Sequence, residues 1–192
     1  MRIGKYAYVS AGSAFSGGTL ARDVSVLNNI AENNKKSVPL LHSIITSNNR
    51  HKKWVVNKLK DIFSTLEELP VLVLGLTYKP GTDTLRRSLS LMICQDIHAE
   101  GARIQAFDPA INSLPSEIDY LSLATSVSEG LKNAQAVVVL TAWPEFKEYT
   151  RESLNVMNEN AVILDPNRIL HESMRDFRPY YSIGLSSKKG AS

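Results

Sequence analysis

VLVLGLTYKPGTDTLRRS, residues 71–88, decides the fold. Val71, Leu72, Val73 and Leu74 make an unbroken aliphatic run that stops at Gly75. Lys79, Gly81, Asp83, Arg86 and Arg87 follow within one short loop. A short run with no polar residue, rich in β-branched side chains, predicts a strand buried on both faces, as in a parallel sheet covered by helices. A buried strand that empties into positive charge predicts a loop with something anionic to hold.

The same pattern recurs downstream. The spacing predicts a strand over 71–76, a helix over 88–100 closing at Gly101, and a strand over 103–107 before Asp108-Pro109. It continues with a weak helix near 126–134, a strand over 136–141, a short helix near 151–157 and a strand over 161–164 before Asp165-Pro166. Apolar strands alternating with helices mean an α/β domain with a parallel sheet, here spanning 70–185. Its crossovers are right-handed, so every strand end points the same way. Residues 186–192 read as a flexible tail.

Upstream the texture is helical. Residues 1–66 form a separate region, divided from the sheet by Glu67-Glu68-Leu69-Pro70. After a small-residue stretch from Ser10 to Gly18, a helix is expected over about 20–33. Ser37 offers a cap for a second helix, with Pro39 in its first turn. That helix carries Leu41, Ile44, Ile45, Val55, Val56, Leu59, Ile62 and Phe63, with a polar gap at Asn48 to Lys52. Run as one piece over 38–63 it would be about 40 Å long. Such a helix either bridges two domains or packs against a partner chain.

Bulk properties narrow the classes. The chain has 192 residues, 43% hydrophobic and 21% charged, with a net charge of +3. That balance is too weak to argue for nucleic acid. No apolar stretch approaches the roughly 20 residues of a membrane span. Cys94 is the single cysteine, so no intramolecular disulfide forms and a reducing, cytoplasmic setting is expected. At helical spacing from Leu91 and Ile97 it reads as a core thiol. His42, His51, His98 and His171 show no metal-ligand spacing, and no metal is expected.

In an open α/β sheet ligands bind beyond the carboxyl ends of the strands. Reading just past each strand samples that rim: Lys79, Asp108, Trp143, then Asp165 to Arg168. Cations, a ring and carboxylates together suit a nucleotide, although Asp-Pro after a strand is also plain turn chemistry. No strand is followed by G-x-G-x-x-G, and there is no G-x-x-x-x-G-K-[ST]. Phosphate here would be held by side chains more than by a glycine cradle.

The loop motif Lys79-Pro80-Gly81-Thr82-Asp83, with Arg86 and Ser88, resembles one in nucleotide-sugar 6-dehydrogenases, the UDP-glucose/GDP-mannose dehydrogenase family, where it typically reads F-K-P-G-T-D-D-x-R-E-S. Leu140 to Phe146 is similar to the family's L-T-x-W-x-E-F, and Tyr181 to Gly184 to its Y-x-S-I-G. Arg2-Ile3-Gly4, Phe15 to Gly18 and Asn49-Arg50 resemble the stretches around its catalytic segment and central helix. The matches run in family order along nearly the whole chain.

The resemblance implies a Rossmann-like C-terminal domain that binds the nucleotide, preceded by a helical middle domain that builds a homodimer through the long helix over about 38–63. It implies that the family's N-terminal NAD-binding domain is not among these residues. By position, Lys79 contacts the nucleotide-sugar and Arg86 reaches an NAD phosphate. Arg2 contacts the sugar end, of its own or the neighbouring subunit. Trp143 and Arg168 face the substrate, and Asp23 assists the catalytic water or base chemistry.

The sequence departs from the pattern where chemistry is concentrated. The family nucleophile lies in G-G-x-C-[FL]-P-K-D, and anchoring on Leu20 and Asp23 puts Thr19 in the cysteine position. A thiolate traps an aldehyde far better than a threonine hydroxyl does. Three readings follow: chemistry without a covalent step, a non-catalytic nucleotide-sugar-binding or dimerisation module, or a Thr19 that only caps the next helix. Asp165-Pro166-Asn167-Arg168 stands where the family has D-G-R-N, which puts Asn167 in the arginine column. Arg87 replaces the acidic residue of R-E-S.

Overall fold

Alternate residues of the central strands must point to opposite faces, so a strand with no polar residue needs cover on both. The computed structural model provides it, and describes residues 11–16, 19–149, 151–174, 176 and 179–185 (of 151 and 154, the backbone only). Six parallel strands form one sheet: β1 (Pro70–Leu74), β2 (Arg103–Phe107), β3 (Ser122–Leu123), β4 (Ala136–Val139), β5 (Val162–Leu164) and β6 (Tyr180–Tyr181). Their order is β3-β2-β1-β4-β5-β6. The order reverses between β1 and β4, where Leu72 stands opposite Val137.

The helices are α1 (Leu20–Asn33), α2 (Pro39–Lys52), α3 (Trp54–Ile62), α4 (Leu89–Ala99), α5 (Val127–Leu131), α6 (Arg151–Leu154) and α7 (His171–Met174), with a 3-10 turn at Pro144–Glu148. One face of the sheet, with Val71, Val73, Ala136 and Val138, packs on Val55, Val56 and Leu59 of α3 and Ile93, Cys94 and Ile97 of α4. The other face, with Leu72, Leu74, Val137 and Val139, packs on Val127 and Leu131 of α5, Phe146 and Met174. Each fully buried Leu or Ile of this kind contributes roughly 2 kcal/mol over its exposed state.

Two expectations about the helical region change. The helix expected over 38–63 is two helices, because Lys53 leaves helical geometry at φ −81° and ψ 1°. The break closes the polar run Asn48 to Lys52, of which only Asn48 is buried, so little packing holds the axis straight there. Ser37 is not the cap of α2: Val38 takes that position and makes no capping bond. Beyond the break, Val55, Val56 and Leu59 of α3 pack into the core of the sheet.

The turn at 67–70 is tied into the sheet, with the Glu68 N–H on the Gly101 carbonyl at 2.9 Å. Arg2, Gly17, Gly18 and the tail at 186–192 lie outside the described residues.

Candidate functional site

The site is built where the sheet order reverses. Gly75, directly after β1, has φ +92°, and a Cβ there would stand 2.5 Å from the Thr141 Cβ and 2.6 Å from its backbone nitrogen. Only glycine lets the chain leaving β1 lie against the chain leaving β4. Asp108, 3% exposed after β2, gathers the ends together. Its Oδ2 accepts from the amides of Leu76 (2.7 Å) and Thr77 (2.9 Å), the Thr77 hydroxyl (3.1 Å) and the Trp143 indole N–H (3.1 Å). Its Oδ1 accepts from the Ala110 amide at 3.0 Å. The turn reading of Asp108 therefore holds. The Trp143 ring is buried and its N–H is committed to Asp108, so it braces the rim from inside.

Loop 75–88 is pinned at both ends, and between them the Tyr78 amide donates to the Thr84 carbonyl at 2.9 Å. Ser88 Oγ donates to the Leu76 carbonyl at 2.6 Å and accepts from the Ser90 amide at 3.1 Å, capping α4. Thr141 Oγ1 donates to the Thr77 carbonyl at 2.8 Å. Between these anchors Lys79, Arg86 and Arg87 are exposed, and none is in an ion pair among the described residues. The capped N-terminus of α4, the positive end of an 11-residue helix, opens beside them.

On the far side of β4, Asp165 is fully buried. Its Oδ2 accepts from the Leu170 amide (2.6 Å) and the Tyr180 hydroxyl (2.7 Å), while Oδ1 has no partner among the described residues. Burial pushes its carboxyl above the usual range, partly offset by the Leu170 amide. The Tyr180 phenol is pushed up by burial and then by the Asp165 charge. Asn167 follows, its Nδ2 donating to the Leu140 carbonyl at 3.0 Å and its Oδ1 accepting from the Ser13 amide at 2.9 Å. Arg168, expected on the substrate, sits at φ +58° and gives its guanidinium to the Ile183 carbonyl at 2.7 and 3.3 Å.

These elements enclose a cleft of about 220 Å³. Ser13, Ser16, Thr77, Ser90, Thr141 and Asn167 supply its polar lining, and no charged side chain lines it among the described residues. Hydroxyls and an amide recognise neutral hydroxyl-bearing groups, and the exposed cations outside suit phosphate. The cleft is smaller than whole-ligand sites, which run to roughly 300–1,000 Å³. A larger hollow of about 560 Å³ by Pro70, Arg103 and Asn133 lies at the amino ends of the strands, away from this rim.

Of the expected catalytic pair, Asp23 is exposed and bonded to Arg22 at 2.9 Å. Thr19 precedes α1 and is exposed, and its hydroxyl makes no capping bond, so the capping role is not observed. Thr77, Ser90 and Thr141 line the cleft as well and are not among the residues expected at the strand ends. The polar gap at Asn48 to Lys52 was the one signal for two further residues, Asn48 and His51, which hold residues 11–16. Among the described residues no group of three His, Cys, Asp or Glu side chains is placed to hold a metal.

Comparison with known proteins bears on the family and the fold. A family model described as the UDP-glucose/GDP-mannose dehydrogenase family, UDP binding domain, matches residues 72–172. The chain is 30% identical over 190 residues to the UDP-glucose 6-dehydrogenase YwqF of Bacillus subtilis, covering 95% of this chain and 42% of that protein. It is 32% identical over 190 residues to the UDP-glucose 6-dehydrogenase of Rickettsia prowazekii, covering 95% of this chain and 43% of that protein. The chain thus spans about two fifths of the length of these relatives. In fold it is similar to a UDP-glucose dehydrogenase from Pyrobaculum islandicum, at a TM-score of 0.78 and 22% identity over 96% of this chain and 41% of that one. A UDP-D-ManNAc dehydrogenase from Pyrococcus horikoshii matches at a TM-score of 0.73 and 25% identity, over 94% of this chain and 41% of that one.

Proposed function

Because the chain belongs to the UDP-glucose/GDP-mannose dehydrogenase family, we propose that it serves as the middle and C-terminal part of an NAD-dependent nucleotide-sugar dehydrogenase. It binds the nucleotide-sugar at the carboxyl ends of β1 and β4. The observation that carries this reading is the cleft at the reversal of strand order, lined by hydroxyls and flanked by unpaired cations. Lys79 takes a phosphate of the ligand, and the first turn of α4 adds the positive end of its dipole. Asp108, through Trp143 and the amides of Leu76 and Thr77, holds the loop that carries Lys79.

Arg86 fits an NAD phosphate, because its exposed guanidinium is in no ion pair among the described residues. When bound, NAD supplies the hydride acceptor for oxidation of the sugar alcohol. Arg2 reaches the sugar end, and Arg168 supports the rim by holding the C-terminal turn at Ile183. The assembly is a homodimer formed through the helical region at 1–66, and it works in the cytoplasm.

Calorimetry with UDP, GDP, UDP-glucose and GDP-mannose tests the binding site. One pair binds, and Lys79→Ala weakens it tenfold or more, the scale of one charge-assisted hydrogen bond. Absence of heat from all four would end the reading.

A second reading, a binding module without chemistry, is favoured by one observation: an exposed Thr19 whose hydroxyl makes no capping bond stands in the nucleophile position. Under it, Thr19→Cys creates NADH formation that the parent protein lacks.

A further inference from the structure

Residues 11–16 cross the mouth of the cleft as a strap, and side chains from two distant parts of the chain hold it. His51 Nε2 lies 2.8 Å from the Gly12 carbonyl, so that ring nitrogen carries the proton and donates. Asn167 Oδ1 accepts from the Ser13 amide at 2.9 Å. Asn48 is buried and pairs with both backbone groups of Phe15, accepting from its N–H at 3.0 Å and donating to its C=O at 2.9 Å. Three residues out of four consecutive ones are therefore fixed by side chains, from α2 on one side and the loop after β5 on the other.

We propose that Asn48, His51 and Asn167 are positioning residues that hold this strap in place as one wall of the ligand cleft. The proposal rests on the binding function assigned above to that cleft. Ser13 and Ser16 line the cleft only because the strap lies where these anchors put it. Asn48 and His51 border the opposite side of the strap and do not line the cleft, so their effect on ligand must pass through the backbone they hold.

The side-chain chemistry is specific. Asn167 donates to β4's Leu140 carbonyl and accepts from Ser13, a two-way bridge that needs an amide. An aspartate there could not donate to Leu140, and an arginine could not accept from Ser13. The bridge ties the strap to the strand end on which the cleft is built. The strap also leads, within three residues of Ser16, to Thr19.

The test pairs amide hydrogen exchange with calorimetry, using UDP-glucose as the probe on the whole chain. Asn167→Ala and Asn48→Ala should each speed exchange at Ser13 or Phe15 at least tenfold, with strand amides of β1 and β4 unchanged. Each should weaken UDP-glucose binding about tenfold, the scale of a lost bond to a half-buried backbone group. His51→Gln, whose amide can still donate to Gly12, should restore what His51→Leu loses. If Asn48→Ala unfolds, the pair Asn167→Ala and His51→Leu carries the test.

Unchanged exchange at residues 12–16 in these variants overturns the proposal, as does unchanged affinity once exchange has risen. If the unaltered chain binds no UDP-glucose, the functional reading fails while the exchange measurements still decide whether the anchors hold the strap.

Discussion

Asp165 stands at the end of a central strand with no exposure to water and one oxygen without a partner among the described residues. His171 Nδ1 and Ser182 Oγ are likewise buried and unpartnered among them, and the His171 and Tyr180 rings lie 5.7 Å apart. Leaving water is costly for a carboxylate, and burial accordingly raises the Asp165 pKa in the folded state. A carboxyl whose folded pKa is raised binds its proton more tightly when folded. Its contribution to stability is present below the unfolded value of about 3.9 and is lost as pH rises through the higher folded value. Asp165→Asn removes that proton equilibrium and keeps an acceptor for Leu170 and Tyr180. Across pH 4 to 8 the Tm of the parent should therefore fall relative to Asp165→Asn. A Tm difference that stays constant, or that favours the parent as pH rises, contradicts the account. The same physics makes Cys94 inert: burial pushes its thiol up to about 12. That agrees with its place at helical spacing from Leu91 and Ile97.

Among the elements, the loop between β1 and α4 shows how far a pattern can be read. The apolar run and the helix after Ser88 are written in residue type. Where β1 stops is not. The apolar run invites a strand to residue 76, but the strand ends at Leu74 because the Leu76 and Thr77 amides turn to Asp108. That carboxylate lies 32 positions from Leu76, so no local window contains the competition. Ser88 joins the same network, capping α4 while donating to the Leu76 carbonyl. Ser88→Ala removes a cap worth about 1 kcal/mol and strands a buried carbonyl at about 1 kcal/mol more. Its chemical denaturation should show a loss of about 2 kcal/mol without a change in the denaturant slope. A loss under half that would mean the cap and the Leu76 bond are replaced by water. The helix expected as one piece over 38–63 illustrates the converse case. Its polar gap was visible in the sequence, but the break at Lys53 follows from which segment the sheet captures.

At the level of the molecule, the apolar face of α3 is occupied by the sheet, which changes where a second copy would dock. Leu20, Val26, Leu27 and Ile30 of α1, with Leu40 of α2, remain exposed, at 47–74% of their full area. An apolar surface of this kind on a helix pair suits association with a like surface. Leu27→Glu with Ile30→Glu should leave a monomer in analytical ultracentrifugation with the Tm of the sheet core retained. A dimer that survives the double change would move the interface elsewhere. No helix of the described residues is long and apolar enough to cross a membrane. What the sequence determined by itself is the alternation of buried strands and helices, the charged loop past the first strand, and the family whose motifs stand at those strand ends. These depend on residue type and on spacings shorter than one strand–helix unit, which the chain states locally. The tertiary structure alone decided the strand order and which side chains turn inward, and so that Trp143 braces Asp108 and Arg168 holds Ile183. It also decided that Asn48, His51 and Asn167 converge on one strap, residues 12–15. Those contacts join residues from 15 to 154 positions apart, and a donor so far along the chain finds its acceptor only when the core has brought the strand ends together.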